Sequence, residues 1–411
     1  MESTPTIRPS SFLSLCALSF TVLASYSIAR SISESIFLGH FQSDETLPLA
    51  WLAVTVVIIP TVLLYNRLAR QLDLVHLFLA SLLFSAALLV VLTIAMPFWP
   101  RTAAFLLYMW KDIYIVVLLE NVFSFANIVF RVPSARRGYG FFLLIGTLGS
   151  LSSNMMVSLL THHVGTAAQL WLILIPFFLA GIAGTTLGRV TGYPGPPRAQ
   201  EAPKDHRPTW QVLSASSYLL LLLTLIGLVQ IAITLVDYEH NAMVQQTFLD
   251  ENQRTNMISH VYKAVDISTI TMQLMVGTLL KWFGVPTVLL LVPAALGLAT
   301  FGFILRRGFW PIAVAKVASK ALDYSLFRAA KEILYIPLSY AEKTRGKALI
   351  DMLTYRVAKG GTAVLLFALA SMALGRWVST LTLGVIGCWI LATVVIARRY
   401  RGLVNRSEER D

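Results

Sequence analysis

Apolar runs of roughly 20 residues, separated by short charged or turn-forming stretches, recur along the whole chain. A run of that length is what one helical crossing of a bilayer needs, about 30 Å at 1.5 Å per residue. Twelve such runs are expected, centred near Leu18, Val56, Ala86, Val117, Leu151, Phe178, Leu225, Thr271, Pro293, Val314, Leu366 and Ile390. The breaks between them read NRLARQLD, MPFWPR, RVPSARRG, FGVP and LRRGF, with Pro, Gly and Arg at the turns. The longest break, GRVTGYPGPPRAQEAPKDHRPTW from Gly188 to Trp210, is rich in Pro, Gly and charge and reads as a linker. The pattern predicts an all-α membrane protein of twelve transmembrane helices in two six-helix bundles. The first bundle is expected over 1–188, a cytoplasmic linker over 189–212, the second bundle over 213–400 and a cytoplasmic tail over 401–411.

Composition agrees with that pattern. Of 411 residues, 56% are hydrophobic and 13% charged, against about 25% charged in an ordinary soluble domain. Soluble classes are thereby excluded, and the lipid bilayer becomes the first partner. The net charge of +12 is assigned to cytoplasmic loops rather than to nucleic-acid binding. Arg67, Arg70, Arg136, Arg137, Arg189, Lys204, Arg207, Lys281, Arg345 and the basic tail fall on one side if the N-terminus is inside. The acidic stretches QSDETLP and TFLDENQ fall on the other. That bias predicts both termini in the cytoplasm. Cys16 and Cys388 lie in apolar runs, so no disulfide framework is expected. The polar start MESTPTIRPS predicts no cleavable signal. No phosphate-binding Gly-x-x-x-x-Gly-Lys-Ser/Thr loop occurs, since Ala341 and Ala348 break the match around Gly346 and Lys347. No enzyme activity, cofactor or metal is expected, and His162–His163 reads as an interfacial pair.

The informative residues are the charges inside apolar runs. One at mid-membrane costs from about 3 kcal/mol upwards, so it faces a partner, a cavity or a ligand. Arg30 and Glu34 are four apart on one helix face and either pair together or meet a solute. Lys111, beside Asp112 near a span end, reads as a lysine snorkelling to the interface. Glu120, in YIVVLLENVFSFANIVF, has no opposite charge within a turn, so its partner comes from another helix, a water, a proton or a ligand. Lys263 and Asp266, and Lys320 and Asp323, are spaced to neutralise each other. Lys316 and Lys320 share a face, and two ammonium groups one turn apart call for an anion or a carboxylate between them.

The stretch YSLFRAAKEILYIPLSYAEKTRGKALIDMLTYRVAKGG, from Tyr324 to Gly361, resembles the signature region of the nucleotide translocases, the ATP/ADP exchangers of plastids and intracellular bacteria. Tyr324, Phe327, Lys331, Glu332, Tyr335, Ile336, Pro337, Leu338, Gly346, Lys347, Ala348, Ile350, Asp351 and Lys359 match the family pattern. YSIARSISES resembles the family's first helix, with Arg30 matching, Glu34 replacing an acid and Ser33 standing where the family has lysine. Glu120 falls at the family's glutamate of span 4. RRGYGFFLLIGTLGSL resembles the fifth helix. ITLVDYEHNAMV resembles the seventh, with Asp237 for glutamate and Asn241 for lysine. YNRLARQL and GTLLKWFG occupy equivalent loops of the two halves and partly match the major-facilitator loop pattern.

The resemblance implies a major-facilitator fold and secondary transport of an anionic small molecule, a nucleotide or other phosphorylated solute, by alternating access. Arg30, Glu34, Glu120, Asp237, Lys316, Lys320, Arg356 and Lys359 are the implied substrate and coupling residues. Lys331, Glu332, Lys347 and Asp351 form either a gate lock or an entry ring for an anionic solute, and their interleaved opposite signs favour the gate. A monomer in a bacterial inner membrane is expected. The missing lysines leave open a lipid-like or amino-acid-derived cargo on the same fold, or a membrane sensor or assembly protein without transport.

Overall fold

The computed structural model describes residues 9–130, 136–192, 216–336, 338 and 347–408. The expected linker at 189–212 lies largely outside the described residues, as do the side chains of Lys347 and Asp351. Among the described residues every regular element is helical. They run α1 (Pro9–His40), α2 (Ser43–Leu68), α3 (Leu74–Ala95), α4 (Pro100–Val129), α5 (Arg136–Val164), a 3₁₀ segment (Ala167–Ile173), α6 (Leu174–Thr191), α7 (Ser217–Thr247) and α8 (Glu251–Leu305). Then follow α9 (Phe309–Leu322), a π-helical turn (Asp323–Phe327), α10 (Arg328–Leu334), α11 (Lys347–Ser371) and α12 (Val378–Glu408).

Nine helical segments among the described residues are long and apolar enough to cross a membrane. The twelve expected from the hydrophobic pattern are not reached by that measure, for two physical reasons. The 55-residue α8 is two helices run together, broken at Gly284, whose φ of 73° and ψ of 161° lie outside the helical region. Only glycine holds such a backbone without strain. The stretches Phe309–Leu334 and Lys347–Ser371 carry the charges already singled out, which lower their apolarity.

The chain divides into two compact units. One holds α1, most of α2, α3–α6 and the first part of α8 (Phe248–Asp266). Its centre is α1, packed by α4, α5 and α6 and buried on nearly all sides from Ser27 to Leu38. A helix surrounded in this way cannot be amphipathic. Its run of serines keeps the side chains small, so neighbouring helices come close. The closest approach is at Gly149 of α5, where a β-carbon would stand 2.2 Å from the Phe20 carbonyl oxygen. The apolar core here joins Leu15, Ile28, Ile32, Phe78, Phe125 and Phe177.

The other unit holds the start of α2 (Ser43–Thr55), α7, the rest of α8 and α9–α12. Its centre is α7, packed by α9, α11 and α12, with Leu222, Val229, Ile312, Phe327 and Trp389 in the core. In each unit one central helix delivers polar side chains into an otherwise apolar interior.

Candidate functional site: two buried charge clusters

In the first unit, the serine-rich face of α1 meets polar residues of α5 and the first part of α8. Asp266 of α8 accepts from Ser150 Oγ and Asn154 Nδ2, both at 2.8 Å. Asn154 also donates to Ser27 Oγ (3.0 Å) and accepts from Ser31 Oγ (3.1 Å). Arg30, only 7% exposed, lays its guanidinium over the Tyr262 ring at 3.4 Å from the centroid. The Tyr262 hydroxyl in turn lies 3.1 and 3.0 Å from the two oxygens of Glu34. Arg30 and Glu34 are thus joined through a tyrosine more than 200 residues away, by cation–π and hydrogen-bond contacts.

Lys111 corrects one expectation. It is 2% exposed, with its ammonium 2.8 Å from Asp112 and 3.7 Å from Glu34 and 4.0 Å from the Tyr108 centroid. It does not snorkel to an interface. Neutralisation by two carboxylates lets it stay buried, and its single-turn neighbours gave no sign of the second one. Lys263 donates to Ser158 at 2.9 Å, while Asp266 takes the serine and asparagine donors described above. Arg254 ties the start of α8 to the carbonyls of Ser35 (2.9 Å) and Phe248 (3.1 Å).

Glu120 sits on an exposed position of α4. Its carboxylate acts on the phenol of Tyr65 in α2, which pairs with Ser124 one turn further along α4. The next residue, Asn121, is buried and donates back to the Val117 carbonyl at 2.9 Å.

In the second unit the two lysines of α9 meet a carboxylate from α7. Lys316 Nζ is 2.8 Å from Asp237 Oδ1 and Lys320 Nζ is 2.8 Å from Asp237 Oδ2. The group between the two ammonium ions is therefore Asp237, brought by another helix, rather than Asp323 alone. Asp323 lies in the combined field of Lys320, Arg328 and Lys331. Asp237 thus faces two lysines, with Asp323 also acting on Lys320, and Lys316 is only 2% exposed. The π turn begins three residues after Lys320, and such turns frequently mark functional sites. Glu239, two residues on from Asp237, accepts from Ser379 of α12.

Of the remaining residues singled out, Lys359 stands over Trp51 at 5.6 Å from the ring centroid. Beside it Gly360 approaches Thr55, where a β-carbon would come within 2.9 Å. Arg356 and Lys331 are half-buried and Glu332 is exposed. The sequence reading missed His240, Tyr262, Ser150 and Asn154. His240 and Asn154 were readable as polar residues in apolar runs, whereas a tyrosine gives no comparable signal.

Comparison with known proteins bears on both clusters. The TLC ATP/ADP transporter family model matches residues 203–400, the part of the chain that holds Asp237, Lys316 and Lys320. Among curated proteins, the chain is 25% identical over 341 residues to ADP,ATP carrier protein 2, chloroplastic, of Arabidopsis thaliana, covering 73% of this chain and 54% of the relative. It is 23% identical over 342 residues to ADP,ATP carrier protein 1 of Chlamydia pneumoniae, covering 71% and 66%. The chain spans about half the length of the plant relatives it matches. Among solved structures, the nucleoside transporter NupG aligns with a TM-score of 0.66 at 14% identity, over 96% of this chain and 99% of that one. The POT family transporter PepTSo aligns with a TM-score of 0.65 at 13% identity, over 97% and 99%. At such identities the structural likeness speaks for the fold alone, an all-helical arrangement shared with these two structures. By these matches taken together, the chain is similar to ADP,ATP carrier proteins of plastids and intracellular bacteria, and its residues 203–400 match the TLC ATP/ADP transporter family model.

Proposed function

We propose that this protein is a secondary transporter that moves a nucleotide across a membrane by alternating access. The observation that carries the reading is the Asp237–Lys316–Lys320 cluster. Two ammonium ions meet at one carboxylate inside a membrane-spanning unit, and charges gathered at such depth are costly unless they serve a cavity or a ligand. The similarity to ADP,ATP carrier proteins supplies the anion's class and favours it over a lipid-like cargo or a sensor role. In this reading Arg30 of the first unit, and Lys316 and Lys320 of the second, are each candidate phosphate contacts, and Arg356 and Lys359 are second-line candidates. Glu34, Glu120 and Asp237 exchange partners during the cycle. Lys331, Glu332, Lys347 and Asp351 form the gate between α10 and α11.

The same reading makes Phe309–Leu334 and Lys347–Ser371 membrane spans and lets α8 cross twice at Gly284, for twelve crossings in all. It divides the chain into six-helix halves over 1–188 and 213–400. It puts both termini in the cytoplasm of a bacterium, with a monomer in the inner membrane. Ser33 and Asn241, where the family resemblance has lysines, remove two charge-assisted phosphate contacts of about 1.5–3 kcal/mol each. Affinity for ATP is therefore expected to be weaker than a full lysine set would give. The test is uptake of labelled ATP and ADP into proteoliposomes preloaded with either nucleotide or with buffer. Uptake that Lys316→Met abolishes supports the reading. Absence of uptake, with no nucleotide raising the protein's unfolding temperature, overturns it.

A further inference from the structure

The face of α7 that carries Asp237 continues one turn later with His240 and Asn241. His240 is completely buried, at 0% exposure, and neither ring nitrogen has a hydrogen-bond partner among the described residues. Asn241 donates to the Asp237 carbonyl at 2.9 Å, which leaves its own side-chain oxygen buried and unmatched. Buried polar groups nearly always have partners, and an imidazole with both nitrogens idle calls for an explanation.

The surroundings of the ring supply one. The charged groups acting on it are Lys316 and Lys320 of α9 and Asp237 of its own helix. Phe309 of α9 lies beside it, with ring centroids 6.3 Å apart. Of the other helices packed on α7, α12 brings Ser379, whose hydroxyl donates to Glu239. From α11 come Thr354, against Gly227, and Lys359, which stands over Trp51. Tyr324 of the π turn and Tyr355 of α11 act on Lys320. With both Asp237 oxygens already held by lysines, an imidazolium beside two ammonium ions would add a third charge of the same sign. The ring is uncharged in this arrangement.

An arriving anion changes the balance. Once its oxygens draw Lys316 and Lys320 away, Asp237 is a carboxylate inside the protein without a cation, and that state is strongly unfavourable. The idle imidazole three residues away on the same face can repair it by taking a proton and turning an N–H towards the carboxylate. We propose that His240 is the proton-binding residue of this carrier, taking up one proton as a nucleotide's phosphates take over Lys316 and Lys320. The inference rests on the nucleotide-carrier reading and adds to it the coupling ion: nucleotide and proton move together, in the same direction.

Titration calorimetry of the purified full-length protein with ATP, at one pH and in two buffers of different ionisation enthalpy, counts the protons taken up per ATP bound. ATP's own protons cancel between variants, so wild type is expected to take up about one more proton than His240→Gln. In proteoliposomes carrying the wild type, an inward ATP gradient is expected to acidify the lumen, a readout that stands if the variant fails to fold. Equal proton uptake in wild type and His240→Gln, or ATP entry without acidification, overturns the assignment. The first result would move the proton to Asp237 itself. A wild type that binds neither ATP nor ADP instead removes the nucleotide reading, and the coupling with it.

Discussion

Asp237 and Lys316 are partners in one buried ion pair, yet their removal is expected to have very unequal effects. In Asp237→Asn, two ammonium ions one helical turn apart lose the carboxylate whose oxygens each stand 2.8 Å from one of them. Removing one partner of a buried pair commonly destabilises by about 3–5 kcal/mol, and here it strands two like charges. In Lys316→Met, Asp237 keeps Lys320, so the cluster becomes a one-to-one pair with an apolar neighbour of similar length. Replacing a buried charge in that way is expected to change stability by less than about 1 kcal/mol. Transport is expected to be lost all the same, because one of the proposed phosphate contacts is gone. The double variant Asp237→Asn/Lys316→Met is expected to recover part of the loss, since one of the stranded cations is removed with its partner. Equilibrium unfolding in mixed micelles, followed by tryptophan fluorescence, measures all three. Equal losses for Asp237→Asn and Lys316→Met would refute the argument, because the cluster would then behave as a simple pair rather than as two lysines bridged by one carboxylate.

Gly149→Ala is expected to cost about 1–3 kcal/mol through overpacking, since its β-carbon would meet the Phe20 backbone at 2.2 Å. Gly227→Ala, facing only the Thr354 methyl at 3.6 Å, should unfold like the wild type in the same assay. Glu120→Gln is expected to leave stability within about 0.5 kcal/mol, as at an exposed position, while abolishing ATP uptake into proteoliposomes. Normal uptake across pH would make Glu120 structural only. Asp73 caps α3 by accepting from the amides of Val75 (3.0 Å) and His76 (3.1 Å), and Asp73→Ala is expected to cost about 1 kcal/mol. Burial tends to raise the Asp73 carboxyl, but the hydrogen bonds and charge of His76 and the Val75 amide outweigh it and hold the group below its ordinary value. Its stabilisation is therefore complete above the unfolded-chain value and is lost as pH falls through the lower folded-state value. Acid titration of wild type and Asp73→Ala should show the two curves converging at low pH.

How legible these clusters were depended on the distance over which each charge found its partner. Arg30 and Glu34 stood out because a helix puts residues four apart side by side, yet the tyrosine that joins them comes from α8. Lys111 was misread because its neighbour Asp112 and its place near a span end suggested the bilayer surface, whereas Glu34 of α1 holds it inside. Lys316 and Lys320 were correctly read as needing a counter-charge, but a spacing rule could only offer Asp323. Asp237 reaches them through the packing of α7 on α9, which no local pattern encodes. The apolar pattern located runs near Val314 and Leu366 as well as the long helices, although the charges of Phe309–Leu334 and Lys347–Ser371 lower the apolarity of those two stretches.

The π turn at Asp323–Phe327 has a consequence for the geometry of that charged rod. An unbroken α-helix advances about 100° per residue, so the stripe begun by Lys316 and Lys320 would run on through Phe327 to Lys331. A π turn is an α-helix with one residue added, and everything beyond it is rotated out of phase. Lys331 is thereby turned off the lysine stripe and Glu332 takes the phase Lys331 would have held, so the turn changes which charge follows the two lysines along the rod. Deleting one residue within 323–327 would straighten the register and swing α10 round to the other phase. The turn thus works as a register shifter, letting one continuous helix carry a buried stripe before it and a separately oriented one after it.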